Sequence, residues 1–170
     1  MATVTANQNA LQPPTGGFAH TLKVAFGKYT YGAAPSANDL ANLCKLPKNA
    51  LVIDGFLMTD DIDTGTETLE IDVGWTANGG ASTDGVKTND GTTWTNAGYQ
   101  AVSAGFVDSG VLSGDAILDL APAGQNRRPF QLKTGPLFFS EETQVQAKIT
   151  AAANAGGTGT VYVVVHYIMV

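Results

Sequence analysis

Apolar and polar residues alternate along most of this chain with the period of a strand. In "HTLKVAFGKYTY", Leu22, Val24 and Phe26 alternate with Thr21, Lys23 and Ala25, which predicts a half-buried strand. "LANLCKL" reads as a short strand, with a helical turn as the alternative. "NALVIDGFLMTDD" has two apolar faces, Leu51, Ile53 and Leu57 on one and Val52, Phe56 and Met58 on the other. Such a strand is central, covered on one side by an opposing sheet and on the other by a loop, an arm or another subunit. "TLEIDVGW" alternates cleanly, with Leu69, Ile71, Val73 and Trp75 facing in and Glu70 and Asp72 facing out. The short Asp/Thr/Gly segment between these two runs is expected to turn a hairpin.

Farther along, "GDAILDLAP", "RPFQLKTGPLFFS", "TQVQAKITAA" and "TGTVYVVVHYIMV" return to strand pattern between Pro, Gly and Asn turns. Val145, Ala147 and Ile149 alternate with Gln144, Gln146 and Lys148, giving one wet face. The last run opposes Val161, Val163, Val165, Tyr167 and Met169 to Tyr162, Val164, His166 and Ile168, so both its faces are apolar. That predicts a strand central in its sheet or part of a subunit contact. Two regions break the pattern. Residues 1–18, with Pro13-Pro14 and Gly16-Gly17, read as an extended arm. "TANGGASTDGVKTNDGTTWTN" is a long surface loop with Trp94 as its one large anchor. "AGYQAVSAGFVDSG" is the single place where a short helix is expected, from the spacing of Tyr99, Val102 and Phe106. Seven to nine short strands with little helix give an all-β fold, an antiparallel β-sandwich of jelly-roll type over 19–170 with the arm at 1–18.

Composition sharpens this picture. The chain has 170 residues, 44% hydrophobic and 14% charged, enough to enclose a core, with a surface of Thr, Asn, Ser and Gly in place of charge. Low surface charge removes a repulsion that keeps monomers apart and so hints at assembly. The net charge of −6 and the scatter of basic residues, with Arg127-Arg128 the only adjacent arginines, argue against nucleic acid as a partner. No N-terminal stretch has the pattern of a signal peptide and no apolar run is long enough to span a bilayer, so a product made in the cytoplasm, without a membrane partner, is expected.

Candidate chemistry is sparse. Asp60, Asp61, Asp63 and Glu67 cluster, but counting from Asp61 puts Gly65 fifth, Thr66 sixth and Asp72 twelfth, which fails the EF-hand pattern. Asp and Thr are also the residues that bond to nearby backbone N–H groups in turns, and that reading is preferred. A looser cation site stays open. His20 and His166 lie at opposite ends of the chain and Cys44 is alone, leaving little for a triad, a metal centre or a disulfide. Cys44 reads as a half-buried small apolar residue, and His166 as a packed strand residue. "NAGGTGT" lacks the Lys-Ser/Thr ending of a phosphate loop and reads as a hairpin turn. Trp75, Trp94 and Tyr99 could stack on sugars, although Trp75 reads better as core and Trp94 as a loop anchor. No enzyme, cofactor or metal is expected.

"KLPKNALVIDGFLMTDDIDTGTETLEIDVGW" and the closing "ETQVQAKITAAANAGGTGTVYVVVHYIMV" resemble segments of small structural proteins of tailed bacteriophages. In these a Leu-Pro turn leads to a buried strand, an Asp-x-Asp-Thr-Gly hairpin and an acidic strand, and the chain ends on a Val/Tyr-rich strand. The resemblance implies a capsid decoration (cement) protein, a homo-oligomer and specifically a trimer. It would sit on the major capsid protein at the outer surface of the virion. Contacts with the capsid or a neighbouring subunit are then expected from Val4, Leu11, Pro13, Pro14 and Phe18 of the arm, from Trp94 and Tyr99, and from Tyr162 and Tyr167. The alternatives are a glycan-binding module of a head fibre or tail, with Trp94 and Tyr99 as its platform, and a tail or neck component.

Overall fold

The computed structural model describes residues 3–5, 21–60, 62–63, 68–78, 86–87, 94–95, 102–107, 126–130, 132, 135–154 and 158–170. The strands are β1 (Thr3–Thr5), β2 (Lys23–Tyr31), β3 (Leu40–Leu46), β4 (Ala50–Thr59), β5 (Glu70–Trp75), β6 (Val86–Lys87), β7 (Trp94–Thr95), β8 (Val102–Val107), β9 (Asn126–Pro129), β10 (Leu137–Phe139), β11 (Thr143–Ala151) and β12 (Gly159–Met169). The count exceeds the expected seven to nine because β1, β6, β7 and β10 have only two or three residues each. Among the described residues no helix occurs. The strands form a first sheet in the order β1-β3-β11-β5-β8 and a second in the order β10-β4-β12-β2, to which β9 adds on β4. Among the described residues every pairing is antiparallel except β1 on β3, where Thr3, Val4 and Thr5 run parallel to Leu40, Ala41 and Asn42. This is the expected β-sandwich, all-β and jelly-roll-like.

The inward residues of both sheets meet in one core. Leu43, Leu46, Leu57, Leu69, Ile71, Val73, Val145, Ile149, Val161, Val163, Val165 and Tyr167 are all fully buried. At one side an aromatic group closes it: Trp75 lies 5.0 Å from Phe106 and 5.1 Å from Phe139, and Phe106 stacks on Phe130 at 4.5 Å. Each such buried ring contributes about 1.5–3 kcal/mol of transfer free energy, more where rings stack. This group explains why Val102–Val107, within the stretch expected to be helical, is a strand. β8 pairs with β5, and its Gly105 lies so close to the Trp75 ring that a Cβ would overlap it. Packing against Trp75 overrides a weak helical spacing that two glycines already undermined.

Both expected hairpins are crossovers. β4 belongs to the second sheet and β5 to the first, and the "NAGGTGT" segment likewise joins β11 of the first sheet to β12 of the second. Local pattern identifies strands but not which sheet each enters, and a short polar connection serves either purpose. Of the long loop, residues 76–78 and the β6–β7 pair are described; the remaining residues, and the "GDAILDLAP" run, lie outside the described residues.

One further correction concerns which apolar residues face outward. In β4 the register against β12 slips by one residue between His166 and Tyr167, leaving Ile53 as the extra residue of a bulge. Its parity therefore changes midway. Val52 and Leu57 point in, whereas Leu51, Phe56 and Met58 are half-buried on the outside and Ile53 is exposed. β2 is reversed relative to its large residues: Ala25 is buried and Gly27 turns inward, while Leu22, Val24 and Phe26 face out. Gly27 sets this orientation, because a Cβ there would overlap the Leu43 carbonyl of β3. Only a residue without a side chain lets the two sheets close at this edge.

Candidate assembly surface

The outer face of the second sheet is built row by row from strand register. Lys28, Tyr162 and Met58 are direct neighbours across β2, β12 and β4; Phe26, Val164 and Phe56 form the next row; Val24, His166 and Asp54 the third. Beyond them Ile168 pairs with Leu51, which pairs with Phe138 of β10. Leu22 stands at the head of β2 on the same face. Leu22, Val24, Phe26 and Ile53 expose 60, 47, 41 and 39% of their surface, far above the share left to core residues of the same types. Rings hold the face in place: Phe26 and Tyr162 lie 6.3 Å apart, and Phe56 meets the His166 ring edge-on at 5.9 Å. The single ion-pair geometry described on the face is His166 Nδ1 to Asp54 Oδ2 at 3.8 Å. A contiguous apolar face of this extent, rimmed by Lys28 and Asp54, is the pattern of a contact surface.

The expected contact residues divide. Tyr162 is half-buried on this face. Tyr167 is not: it is fully buried in the core, against the first sheet, because its parity on β12 is that of Val161, Val163 and Val165. It cannot meet a partner, and burial also pushes its phenol pKa up, with a smaller effect from Cys44. Val4 lies in β1, paired with Ala41 at the edge of the first sheet. Trp94 lies in β7 beside Lys87. Leu11, Pro13, Pro14, Phe18 and Tyr99 lie outside the described residues. Sequence reading missed Leu22, Val24, Phe26, Phe56 and Ile168 as surface residues. The available signal was the greasy double face of the β4 and β12 runs, whose outer half needs neighbours of the same kind.

The aspartates have a structural task. Asp63 is fully buried, and its Oδ2 accepts hydrogen bonds from the Thr68 and Leu69 backbone N–H groups at 2.8 and 3.1 Å and from that of Asn154 at 3.2 Å. The Thr68 hydroxyl donates to the same oxygen at 3.2 Å. One carboxylate thus ties the β4–β5 crossover to the β11–β12 crossover. Asp60 adds a second tie, its Oδ2 accepting from the Thr160 N–H at 2.9 Å while its own N–H donates to the Thr160 carbonyl. Carboxylates that accept from backbone donors fit the turn reading. Asp61 and Glu67 lie outside the described residues. Among the described residues no group of three His, Cys, Asp or Glu could hold a metal ion. Cys44 is buried rather than half-buried, and desolvation pushes its thiol up to about 12, far from a reactive thiolate.

No family model matches the chain, and no curated protein matches it. Solved structures do. A chain of the cyanophage Pam1 capsid asymmetric unit superposes with a TM-score of 0.61 at 22% identity, over 96% of this chain and 95% of that one. A chain of the capsid of Ralstonia phage GP4 gives 0.60 at 22% identity, over 99% of each. In fold, then, this chain is similar over nearly its whole length to chains of two phage capsids.

Proposed function

We propose that this protein is a virion structural component that decorates the outer surface of a tailed-phage capsid, stabilising it by bridging capsomers. The partly exposed apolar face of the second sheet carries this reading, on a fold similar to chains of phage capsids. A face of that kind is unfavourable in a lone monomer and useful in a lattice. The action is mechanical and not catalytic. Many copies, each making a modest contact across a seam, resist its opening collectively. The oligomer is a trimer, the partner is the major capsid protein, and the arm at 1–18 is the bridging element, its Val4 already engaged at a sheet edge.

The test is binding to expanded empty capsids. Saturable binding that falls at least about ten-fold on deleting residues 1–17 supports the reading. Saturable binding to a glycan array, lost in Trp94→Ala, together with indifference to capsids, would replace it with the glycan module.

A further inference from the structure

The apolar face carries charge in one arrangement only. Lys28 stands at one end of it, with Arg127 at the register position beside Met58 in the same row. Asp54 stands two rows away, 63% exposed at its side chain despite the contact with His166. Between them runs the uncharged row Phe26, Val164 and Phe56. This pattern is self-complementary. A two-fold axis lying in the plane of the face, crossing Val164 at right angles to the diagonal from Lys28 to Asp54, brings Lys28 of each copy opposite Asp54 of the other, while hydrocarbon meets hydrocarbon between them.

We infer that this face packs against the same face of a second copy of this chain, with Lys28 of each opposite Asp54 of the other. The inference concerns contact between copies and rests on the assembly reading above, but not on the trimer. Where trimers form, the face links one to the next.

Size sets the strength. Four strands about 4.8 Å apart and a span of seven residues at about 3.4 Å each give a footprint of roughly 450 Å² per copy. Two such footprints fall below the roughly 1,200 Å² at which specific interfaces begin to hold unaided. The pair is therefore weak in dilute solution and filled when copies are crowded, as they are on a shell. A permanent partner of another kind would be expected to demand a larger face.

Sedimentation velocity of the full chain between about 1 and about 100 µM measures this directly. The mass of whatever species is present at dilution is expected to double as concentration rises. Lys28→Asp and Asp54→Lys should each shift the midpoint upward roughly ten-fold, since each replaces two attractions with two repulsions. Mixing the two variants in equal amounts should restore doubling, because every facing pair is again opposite in charge. Both positions are exposed, so unchanged thermal melts are expected to exclude misfolding as the cause. A mass that ignores concentration, variants that behave as the parent, or a mixture that fails to recover would overturn the inference. So would a face whose variants lose capsid binding with no change in self-association. Failure of capsid binding with doubling and rescue intact would sink the proposed function and leave this contact standing.

Discussion

The two sheets share one core but differ on their outer faces. On the first, Gln144 donates to the Cys44 carbonyl at 2.7 Å, Gln146 bonds to Asn42, Thr150 to Glu70, and Lys45 pairs with Glu142 at 2.7 Å. Polar side chains on neighbouring strands satisfy one another. On the second, the equivalent positions hold Phe26, Phe56, Met58, Tyr162, Val164 and Ile168. Rings and aliphatic side chains there meet one another by packing, as Phe26 does Tyr162 and Phe56 does His166. The difference teaches that folding pairs the polar groups of the first face, whereas it leaves apolar side chains of the second partly exposed, as the proposed contact would need.

The comparison holds only while the sheets keep their spacing, and Gly27 is where that is most exposed to attack. In Gly27→Ala the new Cβ collides with the backbone of β3 at Leu43 and Cys44, and main chain cannot swing aside as a side-chain tip can. A loss of about 3 kcal/mol or more is expected, measured by denaturant unfolding. A variant as stable as the parent would mean that the sheets do not meet at this edge.

How far each face was legible in the sequence follows from the same contrast. The wet face of β11 and the inward set of β5 were readable, because strict alternation with charged or amide residues fixes parity. β12 was readable as apolar on both faces, although Tyr167 was taken for a contact when its parity places it with the valines. β2 and β4 misled for separate reasons. In the first half of β2, Val24 and Phe26 face out while Ala25 and Gly27 face in, the reverse of the usual weighting by size, and only Tyr29 and Tyr31 at its end follow that weighting. In β4 a one-residue bulge at Ile53 shifts parity, which no periodic reading detects. The crossovers at Asp60–Glu67 and Asn154–Thr160 were read as hairpins because a turn's composition says where the chain bends, not which sheet it joins. Asp63 became intelligible only once its three backbone donors, from two segments distant in sequence, were in view.

Adjacent residues of β12 test the faces with a matched pair of substitutions. Val→Thr keeps shape and β-branching and adds one hydroxyl. Val163→Thr puts it in the core, where Val163 is fully buried, and should cost about 2 kcal/mol. Val164→Thr puts it on the outer face and should change unfolding free energy by less than about 0.5 kcal/mol. That variant should still weaken association, since Val164 lies in the middle row. Equal costs for the two variants would erase the distinction between core and contact face.

The smallest effect is expected on the finished face. Lys45 and Glu142 pair at 2.7 Å with 38 and 51% of their side chains exposed, so water screens both ions and the pair gains little over its separated state. Lys45→Ala should alter stability by no more than about 0.5 kcal/mol and leave self-association unchanged. Its value is as the counterpart of Lys28→Asp, which also alters one exposed lysine on a sheet face and is also nearly neutral for folding, yet is expected to disrupt association. If Lys45→Ala disrupted association as strongly, net charge or a general surface property would be controlling the contact, and the assignment of one face to water and the other to a partner would fail. If only Lys28 matters, the position of the charge on the apolar face is what the second copy recognises.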